Sequence, residues 1–344
     1  MPIIRAPGIT ILLSAVLTFC SCVSSPWGKA REPDWISDPY AGYNRQTYVA
    51  AVGSGNSRAA AEKNALGNMI AIFGQSVRLD EKVSQSYQEA VMNGVIASWS
   101  DMAVDSTVIS TAGMDSLVGA EIPEAWHNGG GLHYARAVLS KAQAAHIYSG
   151  LIRSNQSMIE KLLDMSPAEK NSFEGFARYQ LAATMADLSI GYGNLLTVIG
   201  APISGLRRGE DYRLEAINIS REIPVSLNVR NDKAGRIEGA FAGVLAEHGF
   251  RSGRAASRYV LDVLVTTTAI TIAGNQNAFT RIEVKADLTD TFLGIVLLPF
   301  NFNDRQGHIT QSEADNRAYA AAERNIGAAY SALFGSYLSS LLLK

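Results

Sequence analysis

The sequence predicts an α+β protein, built as two small α/β sandwich-type domains joined by a helical hairpin. Near each end of the chain, segments of alternating apolar and polar residues stand beside segments in which apolar residues recur every three or four positions. Between them lies a long stretch with helical periodicity alone. The 344 residues are 47% apolar and 18% charged, which is typical of a globular protein with room for two domains.

The N-terminus has the features of an exported lipoprotein. Arg5 precedes an apolar run, residues 9–19, that is too short to span a bilayer and is typical of a signal peptide. Both cysteines of the chain, Cys20 and Cys22, lie at its end. The run FCSC resembles a lipobox, in which a small residue precedes the acylated cysteine. Ser21 therefore makes Cys22 the expected lipidation site, and a plain secretory signal with incidental cysteines is the alternative.

This interpretation makes residues 1–22 a lipoprotein signal peptide and residues 23–32 a polar tether. Ten residues reach at most about 35 Å when extended. Each buried methylene of an acyl chain contributes about 0.8 kcal/mol, so palmitate-type chains on Cys22 would hold the protein on a membrane that it does not span. The chain has 30 basic and 32 acidic residues, and this balance argues against nucleic acid as a partner.

The first domain is predicted over residues 33–150. Trp35 is expected to be a core anchor, with surface recognition as the alternative. Residues 48–80 follow as strand, glycine turn, helix and strand. The helix carries an apolar stripe at every fourth position, formed by Ala61, Ala65, Met69 and Phe73.

The run Gly53-Ser54-Gly55 between this strand and helix imitates a dinucleotide-binding turn. Arg58, however, occupies the place of its third glycine, and Asp80 lies later than the ribose-binding acid of such a unit. We therefore expect no nucleotide and no cofactor here. The glycines are interpreted as serving a tight reversal from strand to helix.

A helix over residues 90–111 and two strands, 117–126 and 132–139, are predicted to complete this domain. The glycine-rich turn between the strands predicts a hairpin. Glu124, His127 and His133 near this turn suggest a metal site, but their spacing matches no known ligand set. We expect no metal.

Three runs in this part of the chain resemble a known family. They are EPDWISDP, TYVAAVGSGNSRAAAEKNALGNM and GLHYARAVLSKAQA, and they resemble the bacterial Lpp-twenty (twenty-kilodalton outer-membrane lipoprotein) family over residues 33–150. The resemblance implies an envelope lipoprotein with a binding or assembly role and supplies no catalytic residues. Together with Cys22, it implies a protein that is lipid-anchored to the outer membrane, on the periplasmic side.

A helical hairpin is predicted over residues 151–200 and a linker over 201–216. The sequence Ser166-Pro167-Ala168-Glu169 has a capping serine, a proline at the first helical position and a glutamate three residues after the cap, so a helix is expected to begin there. Its apolar stripe from Phe173 to Ile199 should pack on the partner helix. An exposed docking stalk is the alternative.

The C-terminal domain, residues 217–344, is predicted as βαββα. Residues 259–272 and 279–291 form its long hairpin, and the second strand alternates so regularly that one face must be wet. The apolar run 292–302 contains Pro299 and is predicted to be a buried return or an edge. The last helix should begin after Ser312 and bury a stripe that includes Leu333 and Tyr337.

No motif for a nucleophile, a phosphate loop or a metalloprotease occurs, so we expect a non-enzyme with a binding role. An envelope protein partner is expected to dock on the edge or the wet face of the hairpin, around residues 266–271. Burial of the hairpin by the chain's own 292–302 segment is one alternative. The other is a carrier of lipid or a small hydrophobic ligand, with residues 292–302 and 341–343 as its apolar surfaces.

Overall fold

The computed structural model describes residues 31–73, 119–233 and 235–341. It contains two separate β-sheets, each with helices packed on one face, and it confirms the α+β class. Several predicted features lie outside the described residues: both cysteines, Asp80, the helix over 90–111 and residues 342–344.

The smaller sheet has three antiparallel strands in the order β1-β3-β2, namely β1 (Tyr48–Gly55), β2 (Ala120–His127) and β3 (His133–Ser140). Helix α1 (Arg58–Ile72) crosses one face. The stripe predicted for this helix is confirmed, because Ala61, Ala65 and Met69 are fully buried.

The two glycines before α1 act differently from the prediction. Gly53 and Gly55 lie inside β1, and neither has a positive φ. A Cβ on Gly53 would collide with the backbone of Asn64 and Ala65, and one on Gly55 would lie 2.7 Å from the Cβ of Ala60. The glycines are needed because the helix lies directly on the strand, and a chain reversal is not what requires them.

The helical hairpin consists of α2 (Lys141–Leu163) and α3 (Phe173–Val198). The capping box at Ser166 forms as predicted, but it opens only the single turn Pro167–Lys170. The side chain of Ser172 accepts a hydrogen bond from the amide of Gly175 at 3.1 Å, and this second cap begins the long helix.

The exposed docking stalk is wrong, because α3 is buried along most of its length. Its first half, with Phe173 and Met185, packs in the core of the larger sheet, and its second half, with Leu188 and Leu196, packs in the core of the smaller one. Helix α2 is divided in the same way, with Ile152 in one core and Leu162 in the other. The hairpin is therefore shared by both cores.

A helix replaces much of the predicted linker. Helix α4 (Gly209–Glu222) begins inside residues 201–216. Its residues Tyr212, Ala216 and Ile219 are buried at spacings of four and three. Asp187 of α3 fixes its start, accepting from the Gly209 amide at 3.1 Å and from Arg213 at 2.7 Å.

The larger sheet has five strands in the order β5-β4-β6-β7-β8. They are β4 (Pro224–Arg230), β5 (Arg251–Gly253), β6 (Tyr259–Ile270), β7 (Ala278–Asp290) and β8 (Ile295–His308), with helix α5 (Arg236–Glu247) between β4 and β5. The predicted wet face is confirmed: Ile282, Val284 and Leu288 of β7 are fully buried, whereas Arg281 and Lys285 are exposed.

Two helices at the C-terminus cover the buried face of this sheet, α6 (Gln311–Asn325) and α7 (Ser331–Ser340), joined by a π-helical turn, Ile326–Tyr330. Beyond this turn the predicted stripe is wrong at Leu333, whereas Tyr337 and Leu341 pack, partly buried, on the core. Leu333 is 37% exposed, while Phe334 and Leu338 are buried. The π turn adds a residue to the helical repeat, which rotates the following residues and moves the buried stripe by one.

Candidate docking surfaces

The N-terminal segment is fixed to the smaller sheet by one buried cation. The Arg136 side chain on β3 is 4% exposed and forms a bidentate pair with Glu124, in which Nε lies 2.8 Å from Oε2. It also donates to the carbonyls of Pro39 and Ala41, and its guanidinium lies 5.6 Å from the ring centre of Trp35. Trp35 is 8% exposed, so the predicted core anchor is confirmed.

The three residues considered for a metal have other contacts. Glu124 is paired with Arg136, and the rings of His127 and His133 lie 4.5 Å apart across β2 and β3. Within residues 31–73, 119–233 and 235–341, no group of three or more His, Cys, Asp and Glu residues is placed to hold a metal ion.

Among the described residues, the larger sheet has three edges on which another strand could pair, and two are protected. Strand β5 is only three residues long. Strand β8 contains Pro299, has an irregular register between its partners Leu288 and Thr289, and carries Asp304 and Arg305 in its second half. Short edge strands, proline, bulges and charged side chains are the usual protections against strand addition.

The third edge is the distal half of β6. Strand β4 pairs with β6 only from Tyr259 to Leu264, whereas β7 pairs with β6 as far as Ile270. Residues 265–270 of β6 thus have no strand partner on the β4 side among the described residues. Their sequence, VTTTAI, has no charge and no proline.

This arrangement answers both hypotheses for the hairpin. The apolar run 292–302 does cover part of the hairpin, because it belongs to β8, which pairs with β7 from Ala278 to Asp290. Strand β8 is an edge of the sheet, which was one of the two predictions for this run. The covering strand lies on the β7 side only. On the opposite side, the threonine-rich end of β6 projects past β4 as predicted, and Thr266 and Thr268 are exposed.

An apolar tip lies at the other end of the same sheet, where β7 turns into β8. The exposed fractions are 81% for Phe292, 56% for Leu293, 46% for Ile295 and 54% for Val296. Isolated exposed apolar residues are ordinary, but four adjacent ones form a patch of the kind that marks a contact site.

Asp290 holds the tip in a defined shape. Its Oδ1 accepts from the amides of Phe292 at 2.9 Å and Leu293 at 3.2 Å, and its carbonyl accepts from the amide of Gly294 at 2.8 Å. Gly294 has a φ of +67°, which suits glycine at the end of this turn.

Arg258 neutralises the charge of Asp290. Its Nε and a terminal nitrogen lie 2.9 and 2.7 Å from Oδ2, and its guanidinium lies 5.5 Å from the ring centre of Phe292. Burial alone would raise the pKa of Asp290, but the bonds from Arg258 and from the turn amides outweigh it and lower that pKa. The carboxylate stays ionised although its side chain is only 3% exposed.

A cavity of about 290 Å³ lies between α2, α3 and the segment before α4. Ligand pockets for small molecules usually begin at about this volume and have mainly apolar walls. Here Gln156, Glu160 and Arg207 bring polar groups into the wall. The cavity is thus poorly suited to an acyl chain.

None of the helices in the described ranges has the length and apolar character needed to cross a bilayer. The lipidation site predicted at Cys22 lies outside those ranges and stays a prediction.

Sequence reasoning missed the defined turn at Asp290 and the Arg136 cluster. The signal for the first was the uncharged run 291–298, part of the segment predicted to be a buried return or an edge and, in the carrier alternative, an apolar surface.

The smaller sheet, α1 and the N-terminal segment together form an α+β unit. Residues 33–140 match the sequence model of the LPP20 lipoprotein family. The family resemblance of the first domain is therefore confirmed, and the match supports a lipoprotein associated with the cell envelope. No curated protein matches the sequence significantly.

Solved structures similar to this chain include two bacterial proteins. One is the secreted protein HP1454 from Helicobacter pylori, 14% identical, with a TM-score of 0.41, over 81% of this chain and 97% of that one. Another is a minor lipoprotein from Acinetobacter baumannii, 17% identical, with a TM-score of 0.25, over 34% of this chain and 90% of that one. Both scores are too low to establish a shared fold.

Proposed function

We propose that the protein is a non-catalytic envelope lipoprotein, anchored to the outer membrane through Cys22, that docks on a periplasmic protein by strand addition to β6. The observation that supports this role is the open edge over residues 265–270. Strand addition gains affinity from backbone hydrogen bonds and specificity from alternate side chains. The β6 edge is well suited to it because it lacks the protections of β5 and β8.

The chemistry of the surface agrees with a binding role. Two carboxylates of the larger sheet and its covering helix α6 have lowered pKa values among the described residues, and both are held in internal contacts. The first is Asp290. The second is Asp315, whose pKa is lowered by a 2.5 Å hydrogen bond from Thr280 and by bonds from Gln311 and Lys233. Both groups stabilise the sheet, which favours a structural role over acid–base catalysis.

Hydrogen exchange tests the docking edge directly. In the purified protein, the amides of residues 265–270 that face away from β7 should exchange fast, because no strand in the described part of the chain covers them. The matched control is residues 259–264 of the same strand, which lie between β4 and β7 and should be protected. On native envelopes, exchange over 265–270 should slow while the control stays unchanged.

Two results would count against the proposal. Strong protection of residues 265–270 in the purified protein would mean that the edge is already closed. Unchanged fast exchange on envelopes would mean that nothing docks there. Co-purification of lipid with the protein would instead favour the carrier function.

A further inference from the structure

The apolar tip between β7 and β8 has a chemistry that strand addition does not use. We infer that the tip, residues 292–296, inserts into the interface of a lipid bilayer and so gives the body a second membrane contact beside its acyl anchor. The inference deepens the proposed function and rests on it for one point: the anchor keeps the body close to a membrane.

The first argument is the state of the backbone. A segment that enters lipid must satisfy its own polar groups, because hydrocarbon offers no hydrogen-bond partners. In this turn the amides of Phe292, Leu293 and Gly294 all donate to Asp290, and the amide of Thr291 donates to the carbonyl of Arg258 at 2.8 Å. The hydroxyl of Thr291 donates to the same carbonyl at 2.9 Å.

The second argument is the shape and composition of the tip. Phe292, Leu293, Ile295 and Val296 have no polar side-chain atoms; the first two lie in the turn at the end of the sheet, and the last two begin β8 directly after it. A partner protein would ordinarily pair apolar contacts with some polar ones at the rim. Lipid chains need only the apolar surface.

The third argument is the charge at the base of the tip. Arg258 lies beside the ring of Phe292, and its side chain is 34% exposed. If the phenyl ring enters the acyl region, the guanidinium lies at the level of the phosphate groups, where arginine is favourable. Its partner Asp290 is nearly inaccessible, so the acid is shielded from those phosphates.

The C-terminal helix approaches the same end of the sheet. Tyr337 of α7 lies close enough to Tyr259, Asp290 and Arg258 to feel their charges. Burial is the main cause that raises the pKa of Tyr337. Leu341 follows one turn later and packs partly on the core of the larger sheet. Tyr337 thus places a half-buried ring at the end of the sheet that carries the tip.

The cysteine content makes a clean test possible. Both natural cysteines lie at the N-terminus, so residues 23–344 contain no thiol. Leu293→Cys can be labelled with an environment-sensitive fluorophore in the acylated full-length mature protein. The protein is then reconstituted on phosphatidylethanolamine and phosphatidylglycerol vesicles that carry nitroxide groups on their acyl chains. The matched control is Asn275→Cys, exposed in the β6–β7 turn at the opposite end of the sheet.

We expect the label at 293 to shift to the blue and to be quenched several-fold more than the label at 275. Equal quenching at the two positions, with both labels in water, would overturn the inference. This includes the case in which the tip is shielded only after envelope proteins are added, because a protein and not lipid would then be its partner.

A second preparation separates this inference from the proposed anchor. The mature chain without acylation is held on nickel-chelating lipids by a histidine tag placed before residue 23. Flotation of the acylated protein tests the anchor, and quenching at 293 in the tagged protein tests the tip. A tagged protein with a quenched tip supports the inference even if the acylated form fails to float. A tagged protein with an unquenched tip refutes it, even if the acylated form floats.

Discussion

The two sheets of the molecule are stabilised in different ways. The smaller sheet depends on close backbone approach at Gly53 and on one buried cation, Arg136. The larger sheet depends on large apolar side chains that are buried on one face. Its other face, the open edge of β6 and the apolar tip are exposed to solvent. The part that matches a lipoprotein family is thus occupied by internal contacts, and the surfaces proposed for binding lie outside that match.

The largest effect is expected from Gly53→Val. Its side chain would meet the backbone of α1, so the helix must separate from β1, at a cost of about 3 kcal/mol or more in the free energy of unfolding. Urea denaturation measures the change. The matched control is Gly67→Ala on the open face of α1, which should add about 1 kcal/mol of stability. Equal effects at both positions would contradict the close-approach argument.

A smaller loss is expected from Arg136→Ala. The change leaves the carbonyls of Pro39 and Ala41 without their donor, which should cost about 2 kcal/mol. Glu124 also loses its partner, but its side chain is 35% exposed and can be hydrated. Arg58→Ala is the control: Arg58 also pairs with a glutamate, but its side chain is 71% exposed. That change should stay within about 0.5 kcal/mol.

If the two arginine variants lose equal stability, the smaller sheet does not depend on its buried cation. Faster proteolysis of residues 31–47 in Arg136→Ala alone would identify the released segment, because Arg136 binds the carbonyls within it.

The smallest effect is expected in the core of the larger sheet. Tyr330 is fully buried in the π turn, its hydroxyl has no hydrogen-bond partner among the described residues, and burial raises its pKa. Tyr330→Phe should therefore leave the melting temperature unchanged or add up to about 1 kcal/mol of stability. A clear loss of stability would reveal a partner for the hydroxyl.

Elements with strong periodicity were predictable from the sequence. The stripe of α1 and the alternation of β7 were confirmed residue by residue, because each depends on one element packing against one core. The division of α2 and α3 between two cores was not predictable, since a continuous apolar stripe has the same pattern whether one core or two receive it.

The surfaces were predictable only in part. The threonines of residues 266–268 indicated a projecting ribbon, but the open edge depends on where β4 ends its pairing, and pairing length is a tertiary property. The π turn left no signal in the periodicity, so the stripe beyond it was assigned one residue early at Leu333. The sequence left a buried return, an edge and an exposed apolar surface open for residues 292–302, because composition alone does not separate a buried turn from an exposed one.

The attachment of the N-terminal segment determines how the molecule bears a mechanical load. A force that enters the chain at residue 31 first reaches the carbonyls of Pro39 and Ala41, which Arg136 holds. It then reaches β1, which is paired with β3 at all eight of its positions. When the force runs along β1, these pairs are loaded together and not one by one. The smaller sheet would then carry a force applied at the N-terminus before that force reaches the binding surfaces of the larger sheet.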